Sequence, residues 1–518
     1  MKYAVNSTEM KKYDRNTSEY YGISSEVLME RASLKVVSHI LDWTCKRASG
    51  RKFKALVLCG VGNNGGDGAC IARLLKQNGI IPYVCVVGDY TKCSDLLLKQ
   101  LDILKKYGVS TDTFSHIRDN KSPAEFDIIV DALFGIGLSR PVTGDFAEAV
   151  SFCNRCKEER QSDMLVISVD IASGINADDG KVCENAVKAD ETVTFNFAKL
   201  GHLLYPGCEY AGKLYIEDVG ITEDSFLGVP PYAFYYDDNV KELIPDRRRD
   251  SNKGTNGKVL IIAGSWNISG ACVLASKACL SAGAGMIRVF TASANKDLVN
   301  AVIPEAMVDD YSNEADIKSK LQLLTDWSSA VVLGPGIGKE ETAYLLVKEI
   351  LSSYDKDLVL DADALNIIAE HEELKKLASE YSRNGKRLIL TPHIGEFARL
   401  FGCSTKESKD NILFYPKKLA DSMHCTVVCK DARTIVADSN EKRVYINLSG
   451  NDGMATAGSG DVLAGIMGAM LSHKMSAFET ACVSVYLHGM AGDEAAGKYG
   501  KSFMKASSII ESLKYLIE

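Results

Sequence analysis

A chain of 518 residues is too long for one hydrophobic core and has to divide into two or three domains. Its hydrophobic fraction of 46% is that of an ordinary globular protein, and 60 Lys and Arg against 68 Asp and Glu leave a net charge of −8, which speaks against nucleic acid as a partner. The polar opening "MKYAVNSTEMKKYD" lacks the apolar core of a secretory signal, no run reaches the roughly 18 apolar residues of a membrane span, and the 15 cysteines stand mostly alone, so a reducing cytoplasmic setting away from membranes is expected.

From residue 54, strand-like runs alternate with helical ones: "KALVLC", "ACIARLLKQNG", "YVCVV", "DLLLKQLDILKKYG", "FDIIVDAL", "FAEAVSFCNRCKEE", "MLVISVD". Single helices between strands imply right-handed crossovers and a parallel sheet covered on both faces. The first strand runs into "LCGVGNNGGDG". Gly60, Gly62 and Gly65 there fit G-x-G-x-x-G, and Asp89 stands where the ribose acid of a dinucleotide-binding dehydrogenase would be.

Two further strand ends weigh against that reading. "DIIVDALFGIGLSRPVTG" places Asp131 before a second glycine-rich loop, and "VISVDIASGINADDG" places Asp170 and Ser173 after a third strand. With Asn63, Asn64 and Asp67 they bring carboxylate, amide and hydroxyl oxygens to one crevice. Such an array repels phosphate unless a cation intervenes, and hard oxygen donors select alkali or alkaline-earth ions. Cys153 and Cys156 in "CNRC" lack the second pair that a zinc site needs and read as reduced thiols.

Around 229–257 prolines, a charge cluster and glycines break the rhythm, and we place the domain boundary there, with domains at 1–225 and 251–518 and a linker over 226–250. The alternation resumes with "GKVLIIAG", "GACVLASKACLSAGAG", "MIRVFT", "AVVLGPGIG", "LVLDADALN", "LILTPHIGE" and "TVVCKDARTIVAD". Near the end, Gly458, Ser459 and Gly460 lead into a long helix, whose first N–H groups can hold a phosphate. Asp461 then stands in the first turn, either as a base for an attacking hydroxyl or as a simple capping acid. Asp361 and Asp363 read as strand-end acids near Mg2+ or as turn formers. Lys430 on its valine-rich strand can equally be a snorkelling edge lysine.

Glycine-Ser-Gly-Asp before a terminal helix resembles the ribokinase-like superfamily. "KGTNGKVLIIAGS", "GPGIG", "LDADALN", "TPHIGEFARL" and "YLHGMAGDEAA" are more specifically similar to the ADP- or ATP-dependent NAD(P)H-hydrate dehydratases. "LMERAS", "GNNGGDG", "DALFGIGLSRPVTG" and "DIASGINADDG" look like the NAD(P)H-hydrate epimerase domain. The resemblance implies a Rossmann-like three-layer αβα domain followed by a ribokinase-like αβα domain, acting together as isomerase and lyase on hydrated NADH or NADPH. It implies K+ on Asn64, Asp131 and Ser173, and substrate contacts from Asn63, Asn64, Gly65, Gly66 and Asp67. It adds Gly135, Ile136, Gly137, Leu138, Ser139, Arg140 and Pro141, with Asp170 also touching substrate.

In the second domain the resemblance makes Asp461 the base and Ala271, Gly336 and His393 substrate contacts. Lys430, Asp431, Ala432, Arg433 and Thr434, with Gly458, Ser459 and Gly460, would hold ADP and its Mg2+. A homo-oligomer is expected. The chain departs from the family pattern at Ala172 (usually proline), Asn252 (usually histidine), Asp431 (usually glycine) and Asp452 (usually proline). Asp170 transfers protons or only orients the substrate. Two other readings remain at this stage: a ribokinase-like kinase of a small alcohol such as a vitamin precursor, and a non-catalytic scaffold in the N-terminal half.

Overall fold

In the first strand of the alternation, successive side chains point to opposite faces of the sheet, and both faces are dry. Ala55, Val57 and Cys59 pack with Val36, Ile40, Ile71 and Leu75 in one core. Leu56 and Leu58 pack with Phe152 and Cys153 in another. A continuous apolar run therefore means a strand between two helical layers. The structure, a computed structural model, describes residues 1–47, 52–160, 163–237, 244, 249–473 and 475–516. It divides into one unit of Tyr3–Tyr232 and another of Ala233–Glu518 with Met1–Lys2. Much of the linker expected over 226–250 lies outside the described residues.

The strands of the first half are β1 (Lys2–Val5), β2 (Lys54–Cys59), β3 (Ile81–Val86), β4 (Thr111–Thr113), β5 (Ile128–Ala132), β6 (Leu165–Val169), β7 (Glu191–Phe195), β8 (Ala198–Lys199) and β9 (Lys213–Glu217). Seven form a parallel sheet in the order β4-β3-β2-β5-β6-β7-β9, while β1 pairs with β8. The order reverses between β2 and β5. At such a switch point crossover helices leave to opposite sides and a crevice opens beyond the strand ends. Asn63 and Asn64 follow β2, and Asp131 lies near the end of β5.

The second unit contains β10 (Ala233–Tyr235), β11 (Lys258–Ile262), β12 (Met286–Ala292), β13 (Met307–Tyr311), β14 (Ala330–Leu333), β15 (Asp357–Leu360), β16 (Leu388–Leu390), β17 (Thr426–Cys429), β18 (Ile435–Asp438) and β19 (Val444–Ile446). Their order is β13-β12-β11-β14-β15-β16-β17-β18-β19-β10. Pairing is parallel from β13 to β17, but β17, β18 and β19 form an antiparallel meander that the uniform alternation in sequence did not suggest. The helix Ser459–Leu471 lies close on its neighbours: a Cβ on Gly465 would stand 2.2 Å from the Ala275 carbonyl oxygen, and one on Gly468 2.4 Å from Val332 Cγ2. That packing fixes where Gly460 and Asp461 stand.

"NNGGD", expected as a loop, is instead the first turn of the helix Asn63–Gln77. The fingerprint glycines serve close packing. A Cβ on Gly65 would lie 1.8 Å from the Gly60 carbonyl oxygen, and one on Gly60 1.8 Å from that of Leu133, whereas nothing approaches Gly62. Gly65→Ala is therefore expected to destabilise the first unit by about 1–3 kcal/mol or more, read as a lowered Tm. Gly62→Ala, at φ −90°, should leave Tm nearly unchanged. Equal melting of the two variants would contradict the packing role.

Candidate active sites

In the first unit Asp170 ends β6 with φ 68°, a left-handed conformation that Asp tolerates better than most residues and that turns the chain sharply at the strand end. Its Oδ1 accepts from Lys199 Nζ at 2.6 Å and from Thr194 Oγ1 at 3.1 Å. Lys199 is 1% exposed and also donates to Thr194 Oγ1 at 2.7 Å and the Phe195 carbonyl at 3.4 Å. All three ammonium protons are thus committed. Lys199 holds a charge beside Asp170 and has no proton or lone pair left for chemistry. His202, whose Nδ1 accepts from the Lys199 N–H, is pushed down to about 3 by burial and by Lys199, and so stays neutral.

These groups border a cavity that also takes in Asn63, Asp67, Ile136 and, from the helix Ser7–Arg15, Met10 and Asp14. Asp67 is half-buried; burial, then Asp170, then Asp14 hold its carboxyl well above the ordinary range. Asp14 at the exposed rim is raised too, by burial and Asp170. Of the second loop, Ile136 faces this cavity, Leu138 is buried in the core with Leu56, and Gly137, Ser139, Arg140 and Pro141 are exposed. Gly135 stands against both Asn64 and Asp170: a Cβ there would be 3.5 Å from Asn64 Cγ and Asp170 Oδ2. Gly66 is packed against Met29.

Beneath lies Asp131, fully buried. Its Oδ2 accepts from Ser168 Oγ at 2.8 Å and the Ser173 N–H at 2.9 Å, and burial raises its pKa. Ser173 Oγ accepts from the Phe134 N–H at 2.9 Å. Asn64 Nδ2 is buried without a hydrogen-bond partner. The buried Asp131 carboxylate, with no cationic partner among the described residues, and the Ser173 hydroxyl it meets through the Ser173 N–H are oxygens that fit a monovalent cation, whereas the orphaned Asn64 Nδ2 is an N–H donor, so Asn64 would join them only through its amide oxygen. Asp89, in contrast, accepts from Thr91 at an exposed turn and cannot serve as a ribose acid in this crevice.

In the second unit Lys430 takes the part that Lys199 takes in the first. Its Nζ is 2.7 Å from Asp361 Oδ1, which also accepts from Thr391 Oγ1 at 2.7 Å, while the buried Asp361 Oδ2 has no partner. Ala362, at φ 49°, twists the chain so that Asp363 diverges from Asp361 and accepts the Gly338 N–H at 2.9 Å. Asp361 Oδ1 is thus taken up by the lysine and Asp363 Oδ2 by the loop, while Asp361 Oδ2 stays open. Among the described residues no group of three His, Cys, Asp or Glu has metal-binding geometry.

Lys430 also faces the head of the helix Ser459–Leu471, its Nζ 3.4 Å from where a Cβ on Gly460 would be. Gly458, at φ 88°, offers no side-chain cap, and among the described residues the Gly460 and Asp461 N–H groups carry no hydrogen bond, so an anion can take them. Asp461 is pushed up to about 7 by burial and by Asp361, with Lys430 opposing. Ser459 Oγ meets His488 Nε2 at 3.3 Å; burial lowers that imidazole to about 4 and keeps it neutral. Only Lys430 of its loop turns inward: Asp431 and Ala432 are exposed and Arg433 and Thr434 half-exposed.

His393 caps the helix Ile394–Phe401, its Nδ1 accepting the Gly395 N–H at 3.0 Å and its Nε2 lying 3.3 Å from Glu396 Oε1. Glu396, buried and raised by that burial against the pull of Lys430, belongs to the same cluster. Gly336, at φ 62°, abuts Ile268 and Ala271. Sequence reasoning missed Lys199, Asp14, Glu396 and His488. For Lys199 a signal existed, a lysine inside the apolar run "FNFAKLGHLL".

Residues 259–514 match the NAD(P)H-hydrate dehydratase family and residues 25–201 the YjeF-related protein N-terminus family. Over its full length the chain is 36% identical to the bifunctional NAD(P)H-hydrate repair enzyme Nnr of Thermofilum pendens, covering 98% of this chain and 94% of that protein. It is 32% identical to the enzyme of that name from Moorella thermoacetica (99% and 96% covered) and 30% identical to that of Escherichia coli (98% and 93%). Among solved structures it is similar to a ribokinase-like superfamily protein from Enterococcus faecalis (TM-score 0.49, 28% identity, 55% of this chain and 95% of that one). It is also similar to the ADP/ATP-dependent NAD(P)H-hydrate dehydratase of Bacillus subtilis co-crystallised with ATP/Mg2+ (TM-score 0.47, 26%, 54% and 96%).

Because the Asp461 pKa is raised on folding, the folded protein binds more protons than the unfolded chain between about pH 3.8 and about 7. Its contribution is therefore most favourable below that window and is lost as pH rises through it. Asp461→Asn should be more stable than the parent at pH 8 and should flatten the pH dependence of urea unfolding of the second unit. A variant that is less stable at pH 8 would refute the assigned direction.

Proposed function

The chain belongs to the family of bifunctional NAD(P)H-hydrate repair enzymes, and we propose on that premise that its two units divide one repair between them. The first unit interconverts the R and S forms of NADH or NADPH hydrated at C6, and the second dehydrates the S form with ADP as phosphoryl donor. The observation that carries the reading is Asp461, a carboxyl poised near neutrality at an uncapped helix N-terminus beside Lys430.

The hydroxyl at C6 is a poor leaving group, and transfer of a phosphoryl group makes it a good one. Asp461 takes the hydroxyl proton as the oxygen attacks phosphorus. The free N–H groups at Gly460 and Asp461 and the ammonium of Lys430 receive charge gathering on the phosphoryl oxygens. Phosphate then leaves with the C6–O electron pair while C5 gives up a proton, and the C5–H electrons form the C5=C6 double bond of the reduced nicotinamide. Mg2+ would enter bound to the nucleotide phosphates, as no three carboxylate, His or Cys side chains among the described residues form a ready-made cage. In the first unit Asn64, Asp131 and Ser173 would hold K+, whose charge would balance the buried Asp131 and help orient the substrate. Exposure of Arg433 and Thr434 near Lys430 suits contact with the outer part of the nucleotide.

With ADP, Mg2+ and hydrated NADH, recovery of NADH absorbance should rise with pH through about 7 as Asp461 ionises. Asp461→Asn should lower that rate about 10²- to 10⁴-fold and leave epimerisation of isolated R hydrate unchanged. Equal loss of both activities would defeat the separation of sites, and release of a stable phosphorylated alcohol would favour a simple kinase.

Replacing K+ by a large organic cation should slow epimerisation and leave dehydration unaffected. Asp131→Asn should no longer respond to K+. A parent protein indifferent to K+ would remove the cation from the first site.

A further inference from the structure

We propose that Asp67 is the general acid of the epimerase unit and that it works with Asp170 as base to open and reclose the hydrated ring. The inference rests on the epimerase reading above. The cavity walls of Met10, Leu28, Met29, Phe195, Val219 and Ile221 are apolar and suit an uncharged ring. Few groups within reach can move a proton. Lys199 is saturated by three acceptors, the Asn63 amide does not titrate, and Lys11 and Asp14 stand exposed at the rim.

Asp170 and Asp67 remain, and their environments differ. Asp170 has Oδ1 engaged by Lys199 and Thr194, which leaves Oδ2, directed toward Gly135, to receive a proton. The Asp67 carboxyl makes no hydrogen bond among the described residues and faces the same cavity. The charged or titratable groups around it are Asp170, Lys199, Asp14, Lys11 and the buried Cys59, and burial, then Asp170 and Asp14, raise its pKa well above the ordinary carboxylate range. Two carboxyls in one pocket, one tied to a lysine and the other making no hydrogen bond, form an acid and base pair.

C6 of the hydrate carries a hydroxyl and the ring nitrogen, a cyclic hemiaminal. Asp170 removes the hydroxyl proton, the C6–O electrons form a carbonyl, and the C6–N1 bond breaks with its electron pair passing to N1, which takes a proton from Asp67. Rotation about C5–C6 presents the other carbonyl face. N1 then attacks C6, its proton returns to Asp67, and the oxygen takes its proton back from Asp170. Both carboxyls end as they began, and neither water nor a redox partner is consumed. Breaking C6–O instead would create a C6 cation whose loss of a C5 proton is dehydration, the work of the other unit.

The test uses the full chain and R hydrate carrying oxygen-18 in the C6 hydroxyl, in ordinary water. The parent should yield S hydrate with the label retained. Asp67→Asn should lose about 10²- to 10⁴-fold in kcat with KM nearly constant, and Asp67→Glu should recover at least about tenfold of that. Loss of the label at each epimerisation in the parent overturns the ring-opening route, whatever the variants do. Asp67→Asn within about tenfold of the parent kcat overturns the acid assignment. A parent that fails to accelerate epimerisation over the spontaneous rate overturns the epimerase reading itself.

Discussion

A lysine clamped onto a strand-end aspartate organises each half of this molecule. In one, Lys199 is sealed between Asp170, Thr194 and the Phe195 carbonyl; in the other, Lys430 lies between Asp361, Glu396 and the helix head at Gly460. Burying an ammonium is costly, and both lysines are held by a carboxylate at 2.6 or 2.7 Å. Burial pulls the Lys430 pKa down, but Asp361 and Glu396 outweigh it and keep the group charged.

The consequence lies in what one positive charge leaves unbalanced. Asp170 and Asp361 each take a lysine, and the neighbouring carboxyls cannot all ionise around it. In the first unit Asp67 is raised well above the ordinary carboxylate range, and in the second Asp461 is raised to about 7 and Glu396 is raised too, each by burial first. Each site thereby surrounds a single ion pair with carboxyls that hold their protons more tightly than in water. Helix geometry does the remaining positioning: glycines at 65, 465 and 468 let their helices lie close against the Gly60 turn, the helix Gly270–Ser281 and strand β14, and so fix Asn63, Asp67 and Asp461.

Much of this was legible in the sequence. Two α/β units, the strands carrying Asp131 and Asp170, and the turn before Asp461 followed from apolar periodicity and glycine placement, which are local. Lys199 stood out locally only as a lysine inside an apolar run; its role depends on the pairing of β6 with β7, which no local pattern records. The antiparallel meander of β17 to β19 escaped because short apolar runs look alike whichever way they pair. His393, which the resemblance makes a substrate contact, is also a helix cap, a job usually done by Ser or Asp. "NNGGD" read as a loop because glycine disfavours helix, yet tertiary packing against Gly60 and Met29 overrides that preference.

The dinucleotide fingerprint is instructive for the same reason. Gly60 and Gly65 perform the close approach that a Rossmann turn performs, but Asn63 and Asn64 stand between the glycines and Asp67 follows them, so a pyrophosphate would meet a carboxyl. Gly62 precedes a helix whose first residue, Asn63, lines a cavity with Asp67 and Asp170, and a phosphate placed there would meet carboxylates. At Gly458 the same uncapped helix start meets Lys430, and there a phosphate is welcome. The sign of the nearest buried charge separates a helix end suited to a damaged ring from one suited to a phosphoryl donor.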